Sequence, residues 1–260
     1  MTATIGSLRF ARHLLSLWRR TWYGSAFSTL VAPVLYLASI GLGLGTLVNG
    51  GGTSQALGGV TYATFAGTGL VAASAMQTGA GEMSWPVMGS IKYTRTWLAA
   101  VATPLGPADL LGGKVIVLAL RLTVSTAVFA VALTVLGLVS PLQAAAAIAP
   151  SVLTGVATGT CMFAVAAGAK QDFTIGYVFR FVITPLFILS GTFFPISQLP
   201  AVARPLAAAS PLWHGVELVR LAALAQPSTY PPLLHIGVLL AITAAGSVVS
   251  VRLLARRLQP

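Results

Sequence analysis

Four carboxylates, three histidines and one cysteine carry most of the acid, base and thiol chemistry of this 260-residue sequence, and their spacing argues against catalysis. Glu82, Asp109, Asp172 and Glu217 lie far apart, at or outside the edges of apolar runs. None pairs as an acid/base dyad, and no run contains the acid relay of a proton-driven carrier. Cys161 stands alone in an apolar stretch, which disfavours a disulfide or a cysteine metal site. His214 and Glu217 sit three residues apart; two groups are too few to hold a metal, so a local hydrogen-bonded pair is expected. Gly106 to Lys114 fails as a phosphate loop, because Ala108 replaces the first glycine and Val115 the Ser/Thr. Gly41-Leu-Gly-Leu-Gly45 is followed by Thr46 and is no dinucleotide fingerprint. It reads as small-residue helix packing, as does Gly155-Val-Ala-Thr-Gly159. No enzyme activity, metal or cofactor is expected in this chain. What remains is a pathway without its own energy source.

The elements that hold these residues follow from composition. Hydrophobic residues make up 56% and charged residues 7% of the chain, against about 25% charged in a soluble domain; mean hydropathy is +0.88. So few charges cannot cover a surface in water, and the solvent for most of the chain is lipid. Crossing about 30 Å of hydrocarbon takes roughly 20 apolar residues in a helix. Six stretches qualify, near 26–48, 60–80, 115–138, 144–168, 175–194 and 233–254. The fold class is therefore an all-α polytopic membrane protein, one transmembrane domain over 1–260. The first run follows a basic, aromatic stretch that lacks the cleavage pattern of a secretory leader.

Net charge is +11 and the isoelectric point about 10.9. In a soluble protein that excess would suggest nucleic acid; here it reports orientation, and no nucleic-acid partner is expected. Arg9, Arg12, Arg19, Arg20, Lys92, Arg95, Lys114, Lys170, Arg252, Arg256 and Arg257 fall on one side of the six spans, and Arg204 and Arg220 on the other. The positive-inside rule puts both termini in the cytoplasm. Arg121 and Arg180 lie within apolar runs, where a charge either snorkels to an interface or faces a polar cavity. Snorkelling is expected for Arg121, whereas Arg180 is a candidate for lining a pathway.

Three segments lie outside the spans. Residues 5–24 place Arg9, Arg12, His13, Arg19 and Arg20 on one arc and Leu8, Phe10, Leu14, Leu15, Leu17, Trp18 and Trp22 on the other. That is an interfacial helix, anchored in the cytoplasmic leaflet by its aromatics and by arginines against anionic lipid. Between spans two and three, loop 81–113 contains a possible short helix, Ser90 to Ala102, then a break at Thr103-Pro104-Leu105-Gly106-Pro107 that restarts a helix. A rigid helix on a stiff corner suits a mechanical linkage to a cytoplasmic motor. On the outer side, 195–232 is too apolar for a solvated loop yet carries seven prolines; short re-entrant helices forming an outer gate are expected.

Two segments carry a resemblance to a known family. They are Tyr93-Thr-Arg-Thr-Trp97 continuing through Thr103-Pro104-Leu105-Gly-Pro-Ala-Asp109-Leu-Leu-Gly-Gly-Lys114, and Ser190-Gly-Thr-Phe-Phe194-Pro195-Ile-Ser197-Gln198-Leu-Pro200 with Pro211-Leu-Trp-His-Gly-Val-Glu-Leu-Val-Arg220. The whole chain resembles the membrane subunit of type-2 ATP-binding-cassette exporters, nearest the nodulation-type lipo-oligosaccharide and antibiotic-resistance permeases. The resemblance implies a permease of the bacterial plasma membrane that exports an amphipathic, lipid-linked or drug substrate by alternating access. It also implies a second permease copy or a related permease, and cytoplasmic ATPase subunits on which ATP and magnesium bind. Lys92, Tyr93, Thr94, Arg95, Thr96, Trp97, Thr103, Pro104, Leu105 and Asp109 would then couple to the ATPase; Arg180, Phe194, Pro195, Ser197 and Gln198 would line the path or its outer gate. Leu98 stands where similar proteins often carry an acid. The readings from other classes are a self-sufficient channel or carrier and a structural membrane protein without transport.

The topology predicts that, in a Cys161→Ala background, Ser54→Cys and Ser197→Cys react with an impermeant thiol reagent added to intact cells while Ser90→Cys does not. Labelling of Ser90→Cys would invert the orientation.

Overall fold

The computed structural model describes residues 5–20, 35, 39, 57 and 59–258. The expected first span, apart from Leu35 and Ser39, lies outside the described residues, as do the Gly41–Gly45 motif and Trp22. Every regular element described is helical: α1 over 5–20, α2 Tyr62–Glu82, α3 Trp85–Lys92, α4 Thr96–Val101, α5 Pro107–Val135, α6 Pro141–Ala146, α7 Ile148–Gly168, α8 Phe173–Leu189, α9 Ala203–Ala208, α10 Pro211–Leu224 and α11 Pro232–Leu258.

Proline opens α5, α6, α10 and α11, since at the first helical position its missing N–H has no intrahelical acceptor anyway. Side chains satisfy the neighbouring donors. Ser140 and Gln143 bond reciprocally at the start of α6 (3.4 and 2.9 Å), and the Ser210 hydroxyl accepts from the Leu212 N–H at 3.2 Å.

Three described helices are long and apolar enough to cross a membrane: α5, the α6–α7 pair (Pro141–Gly168) and α11. Helix α2 has comparable length but is diluted by Gly, Ser and Thr. Its residues from Phe65 to Ala73 are all buried, so along that stretch it meets protein on every side. Helix α7 is the hub, packed on α2, α5, α10 and α11. A Cβ on Gly79 of α2 would collide with the Gly155 carbonyl of α7, and one on Gly155 would lie 2.6 Å from the Ala75 carbonyl. The Gly155–Gly159 motif therefore works as a packing face, as its spacing suggests. The last carbonyls of α7 are closed by Arg257 of α11, whose guanidinium donates to Ala166, Ala167 and Ala169 at 3.0, 3.0 and 2.6 Å.

Several expectations change. The helix expected over Ser90 to Ala102 is two helices, α3 and α4, parted by Tyr93–Arg95 with Arg95 left-handed at φ 52°. The expected span 175–194 ends at Leu189, because Gly191 takes φ +81° and the chain turns away. Within α8, Phe179–Ile183 widens into a π turn. Pro185 lies just beyond; it has no N–H to give and its ring crowds the preceding turn. The segment 195–232 forms a 3₁₀ turn at Ile196–Gln198 and helices α9 and α10.

The backbone contact between α2 and α7 predicts that Gly79→Ala destabilises the detergent-solubilised protein by about 1–3 kcal/mol through overpacking, read as a lower unfolding temperature. Gly176→Ala on α8, where an added Cβ meets nothing within 4 Å, should leave that temperature unchanged or raised.

Candidate functional site

On the side assigned to the cytoplasm, α3 and α4 present Lys92, Tyr93, Thr94, Arg95 and Thr96 as a continuous exposed strip, resumed by Leu98 and by Ala102 to Pro104. Trp97 turns the other way. It is 3% exposed, stacked on Phe163 of α7 (centroids 5.5 Å) and edge-on to Phe10 of α1 (6.1 Å). Among the residues expected to couple it is an anchor, wedged between two helices, while its neighbours form the surface. Phe10, expected on the lipid-facing arc of α1, is turned inward by this contact.

A second tie leaves the same strip. The Lys92 ammonium donates to both carboxylate oxygens of Asp172 at 3.0 Å, and the Tyr93 hydroxyl donates to the same group. Hydrogen bonds from Tyr93 and Lys92 hold the Asp172 carboxyl below its ordinary range. A lowered carboxyl pKa means the tie is intact above about pH 4 and is lost as pH falls through the lowered value. It joins the end of α3 to the start of α8, a contact that spacing along the chain could not reveal. Asp109 plays a different part. It is buried, accepts from the Gly106 N–H at 3.0 Å to cap α5, and faces the Ser7 hydroxyl of α1 at 3.5 Å. Between α1 and α4 lies a groove of about 480 Å³, mostly apolar, with Phe10, Leu14, Leu17, Trp97 and Leu105 in its walls and Arg9, His13 and Thr103 at its polar points.

Of the anchor residues, Arg9, Arg12, Arg19 and Arg20 are exposed, and Trp18 lies beneath the Arg121 guanidinium, 5.8 Å from the ring centroid. Arg121, expected to snorkel, has its Nη1 2.6 Å from Glu82 Oε2, because the end of α2 brings a carboxylate within reach.

On the opposite side, a cleft of about 410 Å³ opens among α10, α2 and the 191–204 segment. It brings together Pro195 and Ser197 of the expected gate with Arg204, Glu217 and Arg220; Phe194 and Gln198 are not part of its wall, and Arg180 is exposed on the π turn of α8. Sequence reading counted Arg220 only as an outer charge. It is 7% exposed, lies 3.6 Å above the Phe65 ring and donates to the Gly191 and Thr192 carbonyls at 2.7 and 3.2 Å. The available signal was an arginine in a mostly apolar helical stretch, three residues after Glu217. The expected His214–Glu217 pair does not form. His214 Nδ1 lies in hydrogen-bond contact with His235 Nδ1 of α11 at 2.7 Å, His235 reaches the Ser228 hydroxyl at 2.9 Å, and Glu217 accepts from Ser228 and Thr229. These bonds pin α10 to the start of α11.

No group of three or more His, Cys, Asp or Glu able to hold a metal occurs among the described residues. The arrangement can bear on a partner at one face and close a cleft at the other. The family described as ABC-2 type transporter matches residues 8–224. Nodulation protein J of Rhizobium leguminosarum bv. viciae is 33% identical over 93% of this chain and 90% of its own length. Its counterpart in Rhizobium meliloti (strain 1021) is 30% identical over 94% and 90%; that of Bradyrhizobium diazoefficiens is 28% identical over 93% and 89%. The family match over residues 8–224, with relatives at 30% identity or more over nearly the whole chain, places this chain in the ABC-2 type transporter family of membrane permeases.

Proposed function

We propose that this permease is the six-span subunit of an ATP-driven exporter in a bacterial plasma membrane, with both termini cytoplasmic. The observation that carries the reading is the strip of Lys92 to Thr96, Leu98 and Thr103-Pro104, exposed on one face and fixed to the bundle by buried Trp97 on the other. A surface held so stiffly can deliver a push. The ATPase subunits dock there, with ATP and magnesium bound on those chains, and a second permease copy or a related permease completes the pathway. Relative movement of the two permeases alternates access to the space between them. The cargo is a lipid-linked saccharide, lipid or amphipathic drug. The resemblance to lipo-oligosaccharide permeases supports that class, as does an outer cleft in which Phe65, Trp213 and prolines stand beside two guanidiniums and a carboxylate. Pro195 and Ser197 belong to that cleft's wall; Phe194 and Gln198 flank it, and Arg180 faces outward from α8.

Purification from the native host through a C-terminal tag should bring down a stoichiometric partner with a G-x-x-x-x-G-K-[ST] loop, and replacement of residues 90–103 by a neutral linker should lose it. An intact permease that carries no ATPase would overturn the exporter reading in favour of a self-sufficient carrier or a structural protein. Within the strip, the geometry separates two kinds of variant. Arg95→Glu should weaken ATPase association with the unfolding temperature unchanged. Trp97→Ala should cost about 3 kcal/mol or more of stability, by removal of a large buried ring, and uncouple ATP hydrolysis from export. Full coupling in a folded Trp97→Ala protein would remove the ring sandwich from the transmission path.

A further inference from the structure

Two cations share one carboxylate where α2 ends and α5 begins. Arg121 Nη1 lies 2.6 Å and Lys114 Nζ 3.8 Å from the same oxygen, Glu82 Oε2. The first is a charge-assisted hydrogen bond. The second is an ion-pair distance too long for one. Both cations lie on one face of α5, seven residues and two turns apart, and their side chains are only 14% and 22% exposed. The cluster thus holds one positive charge more than its carboxylate balances, and that charge rests on a largely buried ammonium without a full hydrogen bond among the described residues. A half-buried excess charge is costly unless an anion reaches it. Trp18 covers the Arg121 end, and Arg9, Arg12, Arg19 and Arg20 of the same α1 are exposed.

We infer that the Lys114–Arg121 edge of α5 binds the phosphate of a membrane-lipid headgroup. The site is at headgroup depth if α1 lies on the cytoplasmic leaflet, as the proposed topology has it. Basic pockets between membrane helices on that side bind anionic headgroups. A phosphate oxygen would give the Lys114 ammonium the acceptor that Glu82, already engaged by Arg121, leaves it without. The inference rests on the placement of α1 and α5 in the topology above. Its readout is lipid retention, not export, so its failure leaves the exporter reading standing.

The test uses the full chain reconstituted in nanodiscs of phosphatidylcholine with phosphatidylglycerol, released into mild detergent and weighed by native mass spectrometry. Wild type should retain phosphatidylglycerol, Lys114→Met should retain about fivefold less, the effect of one basic residue at a membrane surface, and Lys114→Arg should restore it. Arg256→Met, which removes an exposed cation of α11, should change nothing. Lys114→Met spares the Glu82–Arg121 pair; should it fail to fold, Lys114→Gln serves instead. A second arm titrates lipid-free protein with inorganic phosphate followed by phosphorus NMR. Lys114-dependent retention of the lipid supports the site. Equal retention in wild type and Lys114→Met, equal loss in Arg256→Met, or Lys114-dependent binding of free phosphate without lipid retention each overturns it.

Discussion

Two helix backbones touch where Gly79 of α2 meets Gly155 of α7, and most of the described structure is arranged around that contact. Lipid tails are as apolar as leucine, so membrane helices gain little from hiding apolar surface from one another; what holds them is close van der Waals packing. Removing both Cβ atoms lets the axes approach, and the small residues that flank the contact, Ala75 and Gly159, extend it over a full turn on either side. The consequence for composition is direct. Where α2 is buried against its neighbours it can carry Thr64 and Thr68, which a lipid-facing helix of its length would carry only at a cost. The Thr68 hydroxyl satisfies itself by donating to the carbonyls of Thr64 and Phe65 at 2.9 and 3.0 Å.

The second organising constraint is charge in a poor solvent. Fifteen basic residues serve a chain with four acids, so carboxylates are too few to neutralise those the fold draws inward. The protein uses other acceptors. Arg220 takes backbone carbonyls at the turn after α8 and the face of Phe65, and Arg257 takes the carbonyls that end α7. In both cases the cation also supplies donors to a chain end that would otherwise present bare carbonyls to an apolar surrounding. Arg121 is the one that claims an acid, and by doing so it leaves Lys114 short.

Which of these features the sequence discloses depends on how local they are. Membrane embedding, proline-opened helices at Pro107 and Pro211 and the Gly155–Gly159 face are written in runs of four to twenty residues, and composition or period is enough to read them. The ties that give the site its shape are not local. Lys92 and Asp172 are eighty residues apart, Arg220 and Phe65 one hundred and fifty-five, His214 and His235 twenty-one, and only packing brings each pair together. Two local misreadings have local causes. The expected helix from Ser90 breaks because Arg95 adopts a left-handed backbone, a conformation its side chain gives no reason to expect. The expected fifth span ran past Leu189 because Thr192, Phe193 and Phe194 are apolar enough to extend a hydropathy run, while the left-handed Gly191 among them turns the chain.

The two ties that leave the coupling strip differ in kind, and the difference bears on how a push at α4 would travel. The Trp97 sandwich is buried, and each aromatic pair adds about 0.5–1.5 kcal/mol beyond the area it hides. It moves as a block, carrying α1 and α7 with α4. The Lys92–Asp172 tie is exposed on both partners, and exposed pairs are worth about 0–1 kcal/mol. It can open without unfolding anything. A displacement of α4 would therefore drag the hub and, through Gly155, the buried α2, while α8 could be held or let go. The outer cleft lies across that same division: Phe65 and Arg220 belong to helices packed on or beside the hub, and Gly191 and Pro195 to the chain leaving α8. On the proposed function, movement of the hub against α8 at the expected coupling face would shear the carbonyls of Gly191 and Thr192 past Arg220 at the other, and the bonds that line the cleft would stretch with it.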